Sequence, residues 1–221
     1  MAADSTDKRL HLVFSYWAFL FIAWGLYRFL FRLPEEIEEG VIKPVLWLGS
    51  VFWVVAVREK RPLFSSLGWT LKNIFPALYW GLGVGFILAF EGILVNWLKY
   101  GSFSFIQAPY QSIDVFLIGL VLSVVTSICE ETVFRGFILN RCLEIIKKKN
   151  WVNILVSVGF ALIHLPIVFF VYHYSIVPAL IYFLLVFLMS LVSGYCFIKT
   201  KNIVSSILIH ALWWWPIILF R

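Results

Sequence analysis

The sequence predicts an all-α fold, a polytopic bundle of about seven membrane-spanning helices, and three observations carry that expectation. First, 62% of the 221 residues are hydrophobic and 14% are charged, too little polar surface to coat a water-soluble globule of this size, so a bilayer has to serve as solvent. Second, apolar stretches of about 20 residues, the length that crosses a hydrocarbon core, recur at 11–32, 41–57, 74–98, 114–140, 151–171, 176–198 and 203–220. Third, many of the Trp and Tyr residues fall near the ends of those stretches, where an amphipathic ring suits the headgroup layer. The whole chain, 1–221, reads as a single membrane domain with no repeat and no low-complexity tail.

Taken in order, the first span follows a short charged start that holds Asp4, Asp7, Lys8 and Arg9. Without a small-residue cleavage site it reads as an uncleaved anchor. The segment from Arg61 to Asn73 mixes Pro62, Gly68 and serines with apolar residues, as an interfacial connection between the second and third spans would. Gly81 and Gly85 in the third span have the spacing of close helix packing, and no Lys-Ser or Lys-Thr follows to make a phosphate loop. Glu91 reads as an acid near the outer interface. In the last span, Pro216 is expected to kink the helix.

Assigning the connections alternately to two sides puts twelve basic residues on the side of the N-terminus. Five fall on the other side, Arg28, Arg32, Lys43, Lys99 and Arg221, together with the acidic run Glu35, Glu36, Glu38 and Glu39. The positive-inside rule then places the N-terminus in the cytoplasm and the C-terminus outside. The short chain fits a prokaryotic plasma membrane. The net charge of +6 is therefore a topology signal, and no basic patch with base-reading residues points to nucleic acid. Cys129, Cys142 and Cys196 have neither a close pair nor zinc-ligand spacing, so no disulfide framework is expected.

Ionisable groups inside a span cost several kcal/mol unless they face a polar cavity and find partners. The densest cluster is Glu130-Glu131-Thr132-Val133-Phe134-Arg135-Gly136. Glu131 and Arg135 are four apart, with the acid first, the favourable order for an ion pair on one helix face. Glu130 is turned about 100° away and can point elsewhere. Alone, this is as well read as a salt-bridge cluster at a helix end. At ~1.5 Å per residue, however, Glu130, His164 and His210 lie about 15, 20 and 10 Å into their spans from one side. Helices packed 8–10 Å apart bring side chains in one such layer together. The histidines suit an acid/base role or a metal site equally.

These residues resemble the CAAX prenyl protease and bacteriocin-processing family of intramembrane peptidases, also called the Abi family. Its EExxxR motif matches Glu130, Glu131 and Arg135. Its FxxxH motif matches Phe160 and His164, and its last histidine, after a short basic turn, matches His210. The likeness covers about 114–214. It departs at Trp214, where the family carries Asn or, less often, Asp.

The resemblance implies an endopeptidase that cleaves a membrane-associated or lipid-anchored peptide. Glu130, Glu131, His164 and His210 would be catalytic, and Arg135, Phe160 and Trp214 would support them. In that reading Glu130 activates water, His164 orients it and His210 donates to the oxyanion, with no cofactor. A zinc ion on Glu130, His164 and His210 is the alternative, although no HExxH is present. A family member that kept the fold as a binding or immunity protein is the non-enzyme alternative, and Trp214 fits it. A transporter would show broken helices in repeated halves, which the sequence lacks.

Overall fold

The computed structural model describes residues 2–31, 33–101 and 113–219, and all regular structure among them is helical. Seven elements follow one another: α1 (Ala2–Leu30), α2 (Glu35–Glu59), α3 (Ile74–Tyr100), α4 (Ile113–Glu131, continuing through Thr132–Leu139 and Asn140–Ile145), α5 (Lys149–Leu162, then Leu165–Phe170), α6 (Ile176–Thr200) and α7 (Val204–Leu219). Six of them are long and apolar enough to cross a membrane, and α7 has 16 residues. Their outer faces carry exposed Phe75, Phe86, Ile87 and Phe90 on α3 and Ile176, Ile181 and Leu184 on α6. Apolar exposure of this extent fits lipid tails and not water.

Contacts at the two ends fix the up-and-down course. At one end Arg61 meets Glu144, Arg141 meets Glu59, and Asn202 donates to the carbonyls of Thr70 and Lys72. At the other, Phe29 packs edge-on against Phe170, and Arg28 pairs with Glu38 and Glu39. The basic loops gather at the first end. The connection after α2 is not loose there: Asn140 and Arg141 donate to the Ser66 carbonyl, and the Ile203 N–H donates to that of Gly68. Gly136 is required beneath it, because a Cβ there would lie 2.6 Å from the Leu67 carbonyl oxygen.

The glycines of α3 pack as their spacing predicts. A Cβ on Gly81 or Gly85 would stand 3.1–3.2 Å from the Ser205 Cα and the Leu208 carbonyl oxygen of α7, so the two backbones touch. Pro216 lies inside α7, and a Cβ on Gly92 of α3 would stand 3.2 Å from its ring. Glu91 is half-buried within its span. The three cysteines are buried as free thiols.

Two expectations change. The second helix begins at Glu35, six residues before the apolar stretch at 41, so the acidic run forms its first turns and is no outer loop. Arg28 and Lys43, counted above as loop cations, are buried at 6% and 3% exposure. The physical reason is mutual neutralisation. Arg28 pairs with Glu38 and Glu39, and Lys43 with Glu39, so the helix extends through charges that a hydropathy sum counts as breakers. Arg32 and Arg221 lie outside the described residues.

Much of α2, and α4 after Glu131, is wound as π-helix. In α2 the widening flanks Pro44, which has no N–H to donate. In α4 it starts at Thr132, directly after the paired glutamates, and π-bulges concentrate at functional positions.

Candidate active site

Glu130 and Glu131 stand at the middle of α4, where the α-winding gives way to the wider π-turns. Being adjacent, they face different neighbours. Glu131 is fully buried, and three partners close around it. Arg135 Nη1 lies 3.0 Å from its Oε1, His210 Nδ1 lies 2.9 Å from the same oxygen, and Ser193 Oγ donates to its Oε2 at 3.0 Å. Arg135 is held in turn by Ser190, through the carbonyl at 2.9 Å and the hydroxyl at 2.8 Å. Its guanidinium lies 4.5 Å from the ring centroid of Phe160. α4, α6 and α7 are thereby tied through a single carboxylate.

Phe160 is the platform of the cluster. Its ring stands 4.9 Å from Phe134, 4.8 Å from His164 and 5.7 Å from His210. The FxxxH spacing places the phenyl one turn before the histidine, at the point where α5 breaks. The His164 Nδ1 reaches the Phe160 carbonyl oxygen at 2.7 Å, using an acceptor that the broken helix leaves free. With Nδ1–H donating there, the Nε2 of the neutral ring is an acceptor.

Both imidazoles then aim the same atom at the same target. The Nε2 of His164 is 3.5 Å, and that of His210 3.9 Å, from Oε2 of Glu130. That oxygen is buried and makes no hydrogen bond. The structure therefore brings Glu130, Glu131, Arg135, Phe160, His164 and His210 into one cluster. Trp214 lines the adjoining cavity without joining it by a hydrogen bond, whereas Trp213 stands 6.5 Å ring to ring from His210.

The cavity measures ≈ 390 Å³ and runs from Glu130, His164 and His210 to a mouth that includes Phe31, Glu35 and Tyr172. The mouth is at the end opposite the basic loops. Among the described residues, the buried side-chain polar atoms without a hydrogen-bond partner are Arg28 Nε, Trp47 Nε1 and Glu130 Oε2, and all three residues line this cavity. Buried polar groups are nearly always paired, so orphans gathered around one cavity point to a polar guest.

Sequence reasoning missed the far side of the site. Lys43 Nζ lies 2.8 Å from Oε1 of Glu130 and also pairs with Glu39. Glu39 accepts from Arg28 at 2.8 Å and from the Thr126 hydroxyl at 2.7 Å. The available signal was Glu39 and Lys43, four apart in the favourable order, in a segment read as an outer loop and helix end. Two imidazoles and a carboxylate are donor types that suit zinc, yet among the described residues no three His, Cys, Asp or Glu side chains are grouped to hold a metal ion. The second Glu130 oxygen is already engaged by the ammonium of Lys43.

The model of the Rce1-like family, the type II CAAX prenyl endopeptidases, matches residues 112–215. No curated protein and no solved structure matches the chain. The matched segment contains α4 to α7 up to Trp215, and with it the EExxxR, FxxxH and final-histidine residues that meet around Glu130. Over that segment, a little under half of the chain, this multi-pass membrane protein is similar to the type II CAAX prenyl endopeptidases.

Proposed function

We propose that the protein is an intramembrane endopeptidase that hydrolyses a peptide bond of a membrane-associated or lipid-anchored substrate, with Glu130 as general base. The observation that carries the reading is the convergence of two imidazole Nε2 atoms on the unpartnered Oε2 of Glu130. A water that donates one hydrogen bond of about 2.8 Å to Oε2 and another to His164 Nε2 sits beside the 3.5 Å line joining them. The triangle gives an angle at the water of roughly 80°, tighter than the H–O–H angle but within the bend that hydrogen bonds accept. Its lone pairs then face the cavity, where a scissile carbonyl carbon would lie.

Glu130 takes the proton as the water attacks, and His164 carries it to the leaving amine. The Nδ1–H of His210 is committed to Glu131, so its Nε2 donates to the oxyanion as the imidazolium, with the Glu131 carboxylate behind it. Glu131 and Arg135 brace this arrangement from below. The test is a reconstitution in vesicles with membrane-tethered peptides as substrates. Glu130→Gln and His164→Ala each lose turnover by at least about 10²-fold while remaining folded, as expected for a general acid–base pair. Near-normal cleavage by either variant overturns the assignment. A zinc reading makes a separate prediction: chelation abolishes turnover and added zinc restores it.

The second reading is a family member with impaired catalysis that acts as a membrane binding or immunity protein, and Trp214 favours it. An indole donates one hydrogen bond, and the carboxamide's acceptor is lost. Wild-type protein that binds tethered peptides without cleaving them would select this reading.

The orientation is also proposed. With Arg28 and Lys43 withdrawn into the site, the sequence count for the far side falls from five basic residues to three, against twelve for the N-terminal side. The positive-inside rule then supports an N-terminus in the cytoplasm of a plasma membrane, with the Phe31 and Glu35 end of the cavity outside. Protease or thiol-reagent protection of tagged termini in sealed vesicles checks it.

A further inference from the structure

We propose that Lys43 of α2 is a positioning residue of the hydrolytic site, fixing the Glu130 carboxylate so that Oε2 is the oxygen presented to His164 and His210. The inference rests on the endopeptidase reading and adds a component from outside the matched segment 112–215.

A glutamate side chain is free to turn, and its two oxygens are equivalent until something distinguishes them. Here Lys43 distinguishes them. Its ammonium is 2.8 Å from Oε1, while Oε2 has no hydrogen-bond partner and faces both imidazoles. Lys43 is itself constrained from several sides. Glu39 pairs with it one turn earlier on α2, and the rings of Trp24 and Trp47 stand 5.3 and 5.7 Å from its nitrogen. Glu39 is pinned by Arg28 of α1 and by Thr126 of α4, one turn before Glu130. The chain Arg28–Glu39–Lys43–Glu130 thus runs across three helices and ends on the proposed base.

A purely structural strap between α2 and α4 would leave the chemistry untouched once the fold is secure. Two features argue for more. The strap ends on the glutamate whose unpartnered oxygen lies nearest the Nε2 atoms of both imidazoles, although Glu131 is adjacent and also buried. Lys43 also lines the same cavity as Glu130, His164 and His210, so it borders the space where substrate would lie.

The experiment compares Lys43→Met, Lys43→Arg and Glu39→Gln in the full-length protein, with folding checked by tryptophan fluorescence in detergent. The expected result for Lys43→Met is a fall in kcat of about 10- to 100-fold, the usual loss when a partner orienting a catalytic group is removed, with KM within about twofold. Lys43→Arg recovers part of kcat, and Glu39→Gln gives a smaller loss of the same kind.

A second readout does not depend on turnover. Dicyclohexylcarbodiimide modifies protonated carboxyls in apolar surroundings, and a buried carboxylate stripped of its counter-ion takes up a proton. Peptide mass mapping should therefore find Glu130 modified in Lys43→Met and spared in the wild type and in Lys43→Arg. Unchanged kcat in folded Lys43→Met, or modification of Glu130 no greater than in the wild type, overturns the proposal. If the wild type cleaves no tethered peptide, the endopeptidase reading fails, and the modification pattern alone decides whether Lys43 governs Glu130.

Discussion

Arg135→Met tests the packing of the site independently of its chemistry. The substitution keeps an unbranched side chain but removes the hydrogen bonds to Glu131 and to the carbonyl and hydroxyl of Ser190, together with the stacking over Phe160. Removing one partner of a buried ion pair costs about 3–5 kcal/mol, because the other charge is left behind. Glu131 keeps Ser193 at 3.0 Å and His210 at 2.9 Å, which places the expected loss near the lower end, about 3 kcal/mol.

The double variant Glu131→Gln with Arg135→Met removes the stranded charge as well. It should be more stable than the sum of the single losses by about 1–2 kcal/mol, the coupling expected of contacting residues. Reversible unfolding by sodium dodecyl sulfate in mixed micelles measures both, with the intrinsic fluorescence of 11 tryptophans as signal. If Arg135→Met unfolds within about 1 kcal/mol of the wild type, or if the losses simply add, the cluster is not the buried network described here.

Three further outcomes follow. A Cβ on Gly159 of α5 would run into the indole of Trp17 on α1, so Gly159→Ala should destabilise by about 1–3 kcal/mol, measured by the same unfolding assay; no loss would mean that α1 and α5 are not in contact there. Arg61 and Glu144 form a two-point ion pair with side chains about a third exposed. The carboxylate raises the pKa of Arg61 above its ordinary value, so the charge persists at any working pH, and Arg61→Ala should still cost less than about 1 kcal/mol, a loss that 0.5 M salt should reduce. Trp214→Asn restores a carboxamide at the cavity wall and should raise kcat by about 10-fold or more if a missing oxyanion donor limits turnover; unchanged kcat in steady-state cleavage of a tethered peptide would show that the indole position is not limiting.

The seven helices were legible because hydropathy over about 20 residues reports a bilayer span whatever the side chains do locally. The family-like cluster was legible for the opposite reason: Glu130, Glu131, Arg135, His164 and His210 interrupt apolar helices, and such interruptions are costly without a common cavity. The other half of the site was hidden by the same measure. Arg28, Glu38, Glu39 and Lys43 fall where α1 ends and α2 begins, so a hydropathy window reads them as loop and headgroup residues. Their pairing with one another carries α2 six residues further than its apolar stretch. A sum over single residues contains no such pair term. The break in α5 had a signal that went unread: it is set at 163–164, just before Pro166 in the first turn of Leu165–Phe170, and a proline has no N–H to continue the preceding helix.

Charge counting joins the two halves. At the site the matched segment supplies Glu130, Glu131 and Arg135, one more carboxylate than guanidinium, while its other buried arginine, Arg141, pairs with Glu59 at the opposite end. α1 and α2 add Arg28, Lys43, Glu38 and Glu39, which balance among themselves. Together the seven carry one net negative charge, and a single proton held among Glu130, His164 and His210 makes the set neutral. In the proposed mechanism that proton is the one on His210, and the proton that Glu130 takes from water leaves through His164 on the amine, so the set returns to neutrality at the end of each turnover. That neutrality explains why the outer helices contribute a balanced set of charges and not a lone cation: an unpaired Lys43 would have to leave the membrane interior, whereas one clamped by Glu39 stays to hold Glu130.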